Sequence, residues 1–236
     1  MCVAILQGSC CQNEIFYSVK FIIIGNQNVG KTNITHRLIT SEFNNNYNST
    51  IGMDYLIHNI KIDDKIFHLQ LWDTAGSERY RSITRGYYSN SACAIFVYDI
   101  TNKKSFDSIK DWVEECKLNT NSTIHFVLVG NKLDLEEKRE VSEEQGRELS
   151  LDYGMKFFES SALTGRSVKE IFMDSCNVIN DNINNKLYDL YDPSNGIKVC
   201  RNDSFYEIDD KSIKTYSNSN FDIKNNIENK KTKCGC

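Results

Sequence analysis

A loop suited to holding phosphate lies near the start of the chain. Residues Gly25 to Thr32 read GNQNVGKT and follow the apolar run Val19 to Ile24. In a G-x-x-x-x-G-K-[ST] loop the backbone amides converge on nucleotide phosphates, the lysine reaches the β and γ phosphates, and the hydroxyl ligates Mg²⁺. The helix that follows turns its positive end toward the same anion. The motif therefore predicts a nucleotide site that uses Lys31 and Thr32, and by itself it leaves ATP and GTP open.

Three further segments follow in a fixed order, each after an apolar run: DTAG at 73–76, NKLD at 131–134 and SSAL at 160–163. With these four motifs, residues 17–182 resemble the Ras-like small GTPases. An unrelated P-loop ATPase or kinase would have to match all four by coincidence. Further segments are similar to the Rab branch of that family: TIGMD at 50–54, LW before DTAG, ERYR at 78–81, and two tyrosines before VYDIT.

Apolar runs alternate with amphipathic stretches along this part of the chain. Asp63 and Asp64 separate the second and third apolar runs, as in a hairpin turn. We predict an α/β P-loop NTPase fold with a six-stranded, mostly parallel sheet, one antiparallel hairpin, and helices on both faces. Ligands of such sheets bind outside the carboxyl ends of the strands, where all four motifs lie. The predicted strands are near 19–24, 55–62, 66–72, 92–98, 124–129 and 156–159, and the predicted helices near 31–41, 105–118, 142–152 and 167–181.

The composition changes after residue 182. The segment 183–236 is rich in asparagine and charge, and it contains the one proline of the chain, Pro193. It has too few spaced apolar residues to offset the entropy of ordering it. We therefore predict a short N-terminal extension at 1–16, a GTPase domain at 17–182, and a flexible hypervariable tail at 183–236.

Composition and charge narrow the class of protein further. With 40% hydrophobic residues among 236, the chain can bury a full core, and its net charge of -4 gives no reason to expect nucleic acid as a partner. Nine cysteines without a CxxC pair suit reduced thiols in the cytosol. We recognise neither a signal peptide nor a myristoylation signal, and no run of about 18 apolar residues that would span a membrane.

The resemblance implies roles around the phosphates. Mg²⁺ is ligated by Thr32, by Thr50 and, through water, by Asp73. When the γ-phosphate is present, the Thr50 hydroxyl and the Gly76 amide close on it, and both segments relax when it leaves. The catalytic positions implied are Lys31, Thr50, Gly76 and Ser77.

The resemblance also implies how guanine is selected. The Asp134 carboxylate accepts two N–H bonds from guanine, and Asn131 supports this selection; adenine would leave the carboxylate as an unpaired buried charge. The Ala162 amide donates to guanine O6, Lys132 packs along the base, and Phe43 meets it edge-on. The full set of nucleotide-binding residues implied is Gly25, Gln27, Asn28, Val29, Gly30, Lys31, Thr32, Asn33, Phe43, Tyr47, Thr50, Asp73, Gly76, Asn131, Lys132, Asp134, Ser161, Ala162 and Leu163.

Several positions depart from the pattern of the family. Leu163 stands where lysine is commonest, but an apolar side chain can still cover the face of the base. Gln27 and Asn28 stand where small residues are commonest, and asparagine tolerates a left-handed backbone. Ser77 stands where most relatives have a glutamine that orients the attacking water, and its side chain is two carbons shorter.

Ser77 leads to the hypothesis that intrinsic GTP hydrolysis is slow. Rab-type activating proteins are thought to supply both an arginine and a glutamine in trans, so assisted hydrolysis can survive. One alternative is a largely GTP-bound, catalytically weak platform that recruits partners to a membrane. Another is that Ser77 is tolerated drift.

The end of the chain, Lys233-Cys234-Gly235-Cys236, resembles the Rab C-x-C ending that receives two geranylgeranyl groups, and it is not a CaaX box. Two lipids give stable anchoring where one gives marginal attachment. The resemblance then implies a GTPase switch of vesicle traffic on the cytoplasmic face of an intracellular membrane, with a cytosolic pool. Its partners are an escort protein, GDI, an exchange factor, an activating protein and effectors, and the chain itself is a monomer.

Aromatic residues are the predicted effector surface. Tyr55, Trp72 and Tyr87 match the trio that Rab proteins present between their switches, and large, partly exposed aromatics suit binding hot spots. Plain core packing is the alternative for each of them. Trp112 is interpreted as structural. The four histidines have no metal-ligand spacing, and three cysteines are interpreted as buried, inert thiols: Cys93, Cys116 and Cys176.

Overall fold

The strands and helices follow the predicted alternation closely. The computed structural model describes residues 15–43, 50, 52–76 and 86–200. The strands are β1 (Ile15–Ile24), β2 (Met53–Ile62), β3 (Lys65–Thr74), β4 (Cys93–Asp99), β5 (His125–Asn131), β6 (Lys156–Glu159) and β7 (Ile197–Cys200). The helices with both ends described are α1 (Lys31–Thr40), α2 (Lys103–Asp107), α3 (Ile109–Asn119), α4 (Glu143–Tyr153) and α5 (Val168–Asn184).

These strands form one mixed sheet, which confirms the predicted fold class. The order is β2-β3-β1-β4-β5-β6, and β7 pairs with β1. The neighbours β3, β1, β4, β5 and β6 run parallel, whereas β2 and β3 are antiparallel. The predicted hairpin turn lies between β2 and β3, where Asp63 has a left-handed φ of 53°.

The two faces of the sheet carry separate apolar cores. Along β1, Phe21 and Ile23 point into one cluster, while Ile22 and Ile24 point into the other. Helices α1 and α5 cover the first cluster, and α2, α3 and α4 cover the second. Because the central strands are buried on both sides, they read as continuous apolar runs, which is typical of parallel strands. This packing fixes the carboxyl ends of β1, β3, β4 and β5 side by side.

The predicted flexible tail is wrong for residues 183–200, and the sheet has seven strands rather than six. Helix α5 continues to Asn184, and β7 pairs antiparallel with β1 from Phe16 to Val19. This pairing is possible because β4 lies beside only the second half of β1, which leaves the first half with an open edge. Tyr188 and Ile197 are buried against the first cluster, so this segment does have apolar anchors.

Other boundary predictions meet the limits of the described chain. Strand β1 begins at Ile15, two residues before the predicted start of the domain. Residues 1–14 of the predicted extension and residues 201–236 of the predicted tail lie outside the described residues.

Within the described part, no helix is both long enough and apolar enough to cross a membrane. Cys93, Cys116 and Cys176 are buried free thiols, as predicted.

Candidate nucleotide-binding site

The loop predicted to hold phosphate turns from β1 into α1 at the carboxyl edge of the sheet. Gly25 lies so close to β4 that a Cβ atom there would be 2.2 Å from a carbonyl oxygen. Gly30 has a φ of 96°, and Asn28 has a left-handed φ of 64°, a conformation that glycine and asparagine tolerate best. Helix α1 then begins at Lys31 with no side chain capping its first amides. The loop thus presents helical N–H groups that the helix itself does not satisfy.

The Lys31 side chain is folded back into this loop. It is 6% exposed, and its amine donates to the carbonyl oxygens of Gly25 at 2.9 Å and Asn26 at 2.8 Å. Burial lowers the pKa of Lys31 to about 8, while the Asp73 carboxylate acts in the opposite direction. A cation held away from water among backbone dipoles is well placed for an anionic ligand, which replaces its lost hydration.

Three oxygen-bearing side chains meet beside Lys31. The Thr32 hydroxyl donates to Asp73 Oδ2, and Thr32 Oγ1 lies 2.9 Å from Thr50 Oγ1. Asp73 is completely buried, and its Oδ1 atom has no hydrogen-bond partner among the described residues. Burial raises the pKa of Asp73 to about 6, against the opposing effect of Lys31. The structure therefore brings together the three residues predicted to ligate magnesium, and all three supply the oxygen atoms that this ion prefers.

The residues after β3 connect the phosphate loop to the segment before β2. The Ala75 amide donates to the Gly52 carbonyl oxygen at 2.9 Å. The Gly76 backbone lies against the loop, because a Cβ atom there would be 2.3 Å from the Asn26 carbonyl carbon. The two segments predicted to respond to the γ-phosphate are thus in contact with each other and with the loop.

Asn131 ties the phosphate loop to the SSAL segment. It is 1% exposed, its Nδ2 donates to the Val29 carbonyl at 2.8 Å, and its Oδ1 accepts from the Ala162 amide at 3.2 Å. The Ser160 hydroxyl donates to the same oxygen at 3.3 Å. The Ala162 amide, predicted to donate to guanine O6, therefore already has a partner, so donation to a base would be a three-centre hydrogen bond.

The other predicted base-recognition residues lie beside Asn131. Asp134 Oδ1 accepts from the Ser161 hydroxyl at 2.5 Å, and that hydroxyl in turn accepts from the Thr164 amide at 3.1 Å. Lys132 has a left-handed φ of 69°, and its amine forms an ion pair with Asp99 at 2.6 Å. The Ser161 hydroxyl thus restrains the exposed Asp134 carboxylate through one of its two oxygens.

The other predicted nucleotide-binding residues within the described chain differ in their exposure. Val29 is buried and Gln27 is exposed at the tip of the loop. Asn33 lies in the first turn of α1 and is partly buried. Phe43 is partly buried and packs on the first core cluster. Leu163 is 45% exposed.

The predicted effector trio forms one cluster of rings. The Trp72 ring lies 5.6 Å from Tyr55 and 5.8 Å from Tyr87, measured between centroids. Tyr55 is 41% exposed, so the cluster has an accessible side. Lys20 was not singled out from the sequence, yet its amine lies 4.1 Å above the Trp72 ring and donates to the Tyr87 carbonyl at 2.7 Å. The effector role stays a prediction.

Sequence reasoning missed a connection between the loop and the second core. Trp112 is buried at 5% exposure, in line with its structural interpretation, but its Nε1 donates to Asn26 Oδ1 at 2.7 Å. Asn26 Nδ2 donates to the Ser108 hydroxyl at 3.1 Å. Asn26 occupies a variable position of the motif, and its partners are more than 80 residues away, so no local signal could reveal these contacts.

Four of the predicted site residues belong to parts of the chain outside the described ranges. Tyr47, Ser77, Cys234 and Cys236 lie outside the described residues, as does the whole segment 44–49. The described residues contain no group of three or more His, Cys, Asp or Glu side chains able to hold a metal ion. A magnesium ion here would thus depend on hydroxyl, carboxylate and ligand oxygens together, as expected for Mg²⁺ bound with phosphates.

Comparison with known proteins agrees with this geometry. The family model described as the Ras family matches residues 20–181. The chain is similar to the Ras-related protein Rab-8B of Homo sapiens, at 41% identity over 190 residues, which cover 80% of this chain and 92% of the relative. It is also similar to Rab-8 of Diplobatis ommata, at 43% identity over 171 residues, covering 72% and 81% of the two chains. Rab-8A of Rattus norvegicus is 42% identical over 171 residues, with 72% and 83% covered.

Proposed function

The chain belongs to the Rab branch of the Ras-like small GTPases, and from this premise we propose that it is a GTP/GDP switch of vesicle traffic. It binds GTP or GDP with Mg²⁺ and hydrolyses GTP to GDP and phosphate. The observation that supports this most strongly is the meeting of Lys31, Thr32 and Asp73 at one edge of the sheet, with Asn131 joining that edge to the base-recognition segment.

Guanine selection in this proposal rests on Asp134. Its carboxylate accepts two N–H bonds from guanine, and the Ser161 hydroxyl at 2.5 Å holds it in place. Adenine has no matching pair of donors, so it would leave a desolvated carboxylate unpaired, which costs several kcal/mol in comparable sites, or ~10⁴-fold in discrimination. The Ala162 amide shares its proton between Asn131 and guanine O6.

Phosphate binding uses the loop and the start of α1. The Lys31 amine exchanges its two carbonyl partners for oxygens of the β and γ phosphates, while the first amides of α1 donate to the same groups. The unpartnered Asp73 Oδ1 and the adjacent hydroxyls of Thr32 and Thr50 fit a Mg²⁺ ion, directly or through water. A bound Mg²⁺ supplies charge neutralisation for the phosphate oxygens.

The switch consists of the two segments that meet at Ala75 and Gly52. When the γ-phosphate is bound, the Thr50 hydroxyl and the Gly76 amide both close on it. This shared ligand holds the two segments in one arrangement. After hydrolysis the shared ligand is gone, and the effector trio beside these segments changes its surroundings. Effectors that prefer the first arrangement thereby read the nucleotide state.

We further propose that intrinsic hydrolysis is slow because of Ser77, and that the chain is a monomer attached to a membrane through geranylgeranyl groups on Cys234 and Cys236. In this proposal an escort protein delivers the chain for lipid attachment, and GDI extracts the lipidated chain from the membrane. An exchange factor loads GTP, and an activating protein accelerates its hydrolysis. The second candidate, a GTP-filled recruitment platform, is favoured only by Ser77. A mostly GTP-filled protein after purification would support that candidate.

Nucleotide preference is the deciding experiment. Calorimetry on the full-length chain with Mg²⁺ should give at least about 10³-fold tighter binding of GDP than of ADP. Asp134→Ala should remove most of this preference, whereas Asp152→Ala, an exposed aspartate on α4, should preserve it. Equal affinities for guanosine and adenosine nucleotides in the unsubstituted chain would overturn the proposal.

A further inference from the structure

A second cavity, apart from the nucleotide site, lies between the end of α1, strand β2 and the start of α5. Its volume is about 560 Å³, and none of the residues assigned to nucleotide or magnesium lines it. The buried side chains of Leu38, Ile60 and Val168 form an apolar part of its wall. Small-molecule sites usually have volumes of about 300 to 1,000 Å³ and a largely apolar lining with a few polar groups. We call this space the α1–α5 cavity.

The ionisable side chains of the cavity wall are all basic. Arg37, His58, Lys61 and Lys169 line it, and its lining residues include no aspartate or glutamate. This contrasts with the chain as a whole, whose net charge is -4. Burial lowers the pKa of His58, and the positive charge of Lys169 acts in the same direction. An anion in the cavity would relieve this repulsion, because an opposite charge nearby favours the charged form of a basic group.

Arg37 is held in position at this wall. Its Nε donates to the Ala162 carbonyl at 3.0 Å, its Nη1 donates to the Ser41 carbonyl at 2.5 Å, and its Nη2 donates to the Leu163 carbonyl. A guanidinium group carries five N–H donors, so these three contacts do not use all of them. The contacts fix the planar group, and a fixed guanidinium suits carboxylate or phosphate oxygens.

We propose that the α1–α5 cavity is a binding site for an amphipathic organic anion. The phosphate or carboxylate group of the ligand lies among Arg37, His58 and Lys169, and its apolar part lies against Leu38 and Val168. The site is built by α1, β2 and the start of α5, and its lining residues are separate from those assigned to the nucleotide.

The test uses phenyl phosphate as the probe, because it joins one anionic group to one apolar ring. The full-length chain is first loaded with GDP and Mg²⁺, so that the probe cannot enter the nucleotide site. The His58 ring is then followed by NMR across a pH titration, with and without probe. We expect a dissociation constant on the order of 1 mM, as a small ligand with few contacts allows, and a raised pKa of His58 in the complex. Phenol, which lacks the charge, and inorganic phosphate, which lacks the ring, should each bind at least about tenfold more weakly.

Two matched charge-reversal variants distinguish binding in the α1–α5 cavity from a general attraction of the anionic probe to basic residues of the surface. Lys169→Glu should weaken phenyl phosphate binding by at least about tenfold, which corresponds to 1.4 kcal/mol. Lys110→Glu changes the net charge equally at an exposed position of α3 outside the cavity, and it should leave binding intact. Both lysines are exposed, so both variants should retain GDP, which checks that they are folded. Equal losses in the two variants, equal binding of phenol, or a His58 titration that the probe does not change would each overturn the proposal.

Discussion

At the scale of single residues, the proposed slow hydrolysis of GTP rests on one short side chain, Ser77. Phosphoryl transfer needs little covalent help from a protein, so catalysis rests on positioning and on stabilising charge. In the proposed site, Lys31 and a Mg²⁺ ion held by the oxygen atoms of Thr32, Thr50 and Asp73 would supply the charge stabilisation. In this proposal Ser77 affects the orientation of the attacking water, because serine lacks the reach of glutamine. We therefore expect slow intrinsic GTP hydrolysis together with an unchanged affinity for the nucleotide.

Replacing Ser77 with glutamine tests this division of roles. Ser77→Gln should raise the single-turnover rate of GTP hydrolysis by about 10- to 100-fold, which is the scale on which positioning groups act. Affinity for GTP should change little, because the phosphate and base contacts are unaltered. Ser122→Gln, at an exposed loop position, serves as the matched control and should hydrolyse at the original rate. Identical rates for Ser77→Gln and the unsubstituted chain would show that Ser77 does not limit hydrolysis.

The residues that sequence reasoning found and missed differ in how they make their contacts. Lys31, Thr32 and Asp73 belong to motifs whose local spacing carries their chemistry, so their meeting was predictable. The Lys132–Asp99 ion pair and the Trp112–Asn26 hydrogen bond join positions far apart in the chain. Nothing in the residue types at those positions indicates their partners, since lysine, aspartate and asparagine are usually solvated. Only the packed sheet and helices bring such pairs together.

At the scale of elements, β7 shows why a polar tail can still pair with the sheet. In residues 183–200 only Tyr188 and Ile197 are apolar residues buried in the first core cluster, with Ile183 and Leu190 partly buried against it. These are too few and too irregularly spaced to predict an ordered segment from the hydrophobic pattern. The open edge of β1 beside Phe16 to Val19 supplies backbone partners that composition cannot reveal. The central strands, by contrast, were predictable, because continuous apolar runs such as Val19 to Ile24 indicate buried strands by themselves.

The contribution of β7 can be measured with two apolar residues of the strand that differ in burial. Ile197 is 1% exposed and Val199 is 42% exposed. Ile197→Ala should lower the free energy of unfolding by about 2 to 5 kcal/mol, because it leaves a cavity in the first core cluster. Val199→Ala, the matched control, should cost less than about 1 kcal/mol. Urea denaturation of the GDP-loaded protein gives both values, and similar small costs would mean that β7 does not contribute to stability.

At the scale of the whole molecule, β7 determines where the chain leaves the domain. The nucleotide site lies at the carboxyl end of β1, whereas Cys200 pairs with Phe16 at the amino end of that strand. The segment that carries Cys234 and Cys236 therefore starts at the opposite end of the sheet from the nucleotide.

Membrane attachment should follow the last cysteines alone. In cells that prenylate proteins, Cys234→Ser together with Cys236→Ser should move the chain from the membrane fraction to the soluble fraction. Either single substitution should give weak, reversible attachment, because one lipid chain anchors only marginally. A double variant at the N-terminal cysteines, Cys10→Ser with Cys11→Ser, is the control and should stay on membranes. Loss of attachment in that control instead would place the anchor at the other end of the chain.

Between pH 7 and pH 5 the acid response of the molecule depends mainly on its four histidines. Burial lowers the pKa of His36, His58, His68 and His125 in the folded state. Below the unfolded pKa of about 6.5 the unfolded chain therefore binds more protons than the folded chain, so the free energy of unfolding falls as the pH falls. Asp73 acts in the opposite direction, because burial raises its pKa to about 6. In the proposed site a bound Mg²⁺ would keep that carboxylate ionised, so the histidines should dominate in the loaded protein.

His125 offers the sharpest test of this acid response. Burial is the main cause of its lowered pKa; the positive charge of Lys156 adds to the effect, and the Asp174 carboxylate opposes it. In GDP- and Mg²⁺-loaded protein, His125→Gln should reduce the loss of stability between pH 7 and pH 5, by at most about 1.4 kcal/mol per pH unit. Urea unfolding at pH 8, where imidazole is neutral in both states, measures the cost of the substitution itself. If the two stability curves stay parallel from pH 8 to pH 5, His125 does not bind protons differently in the folded and unfolded states.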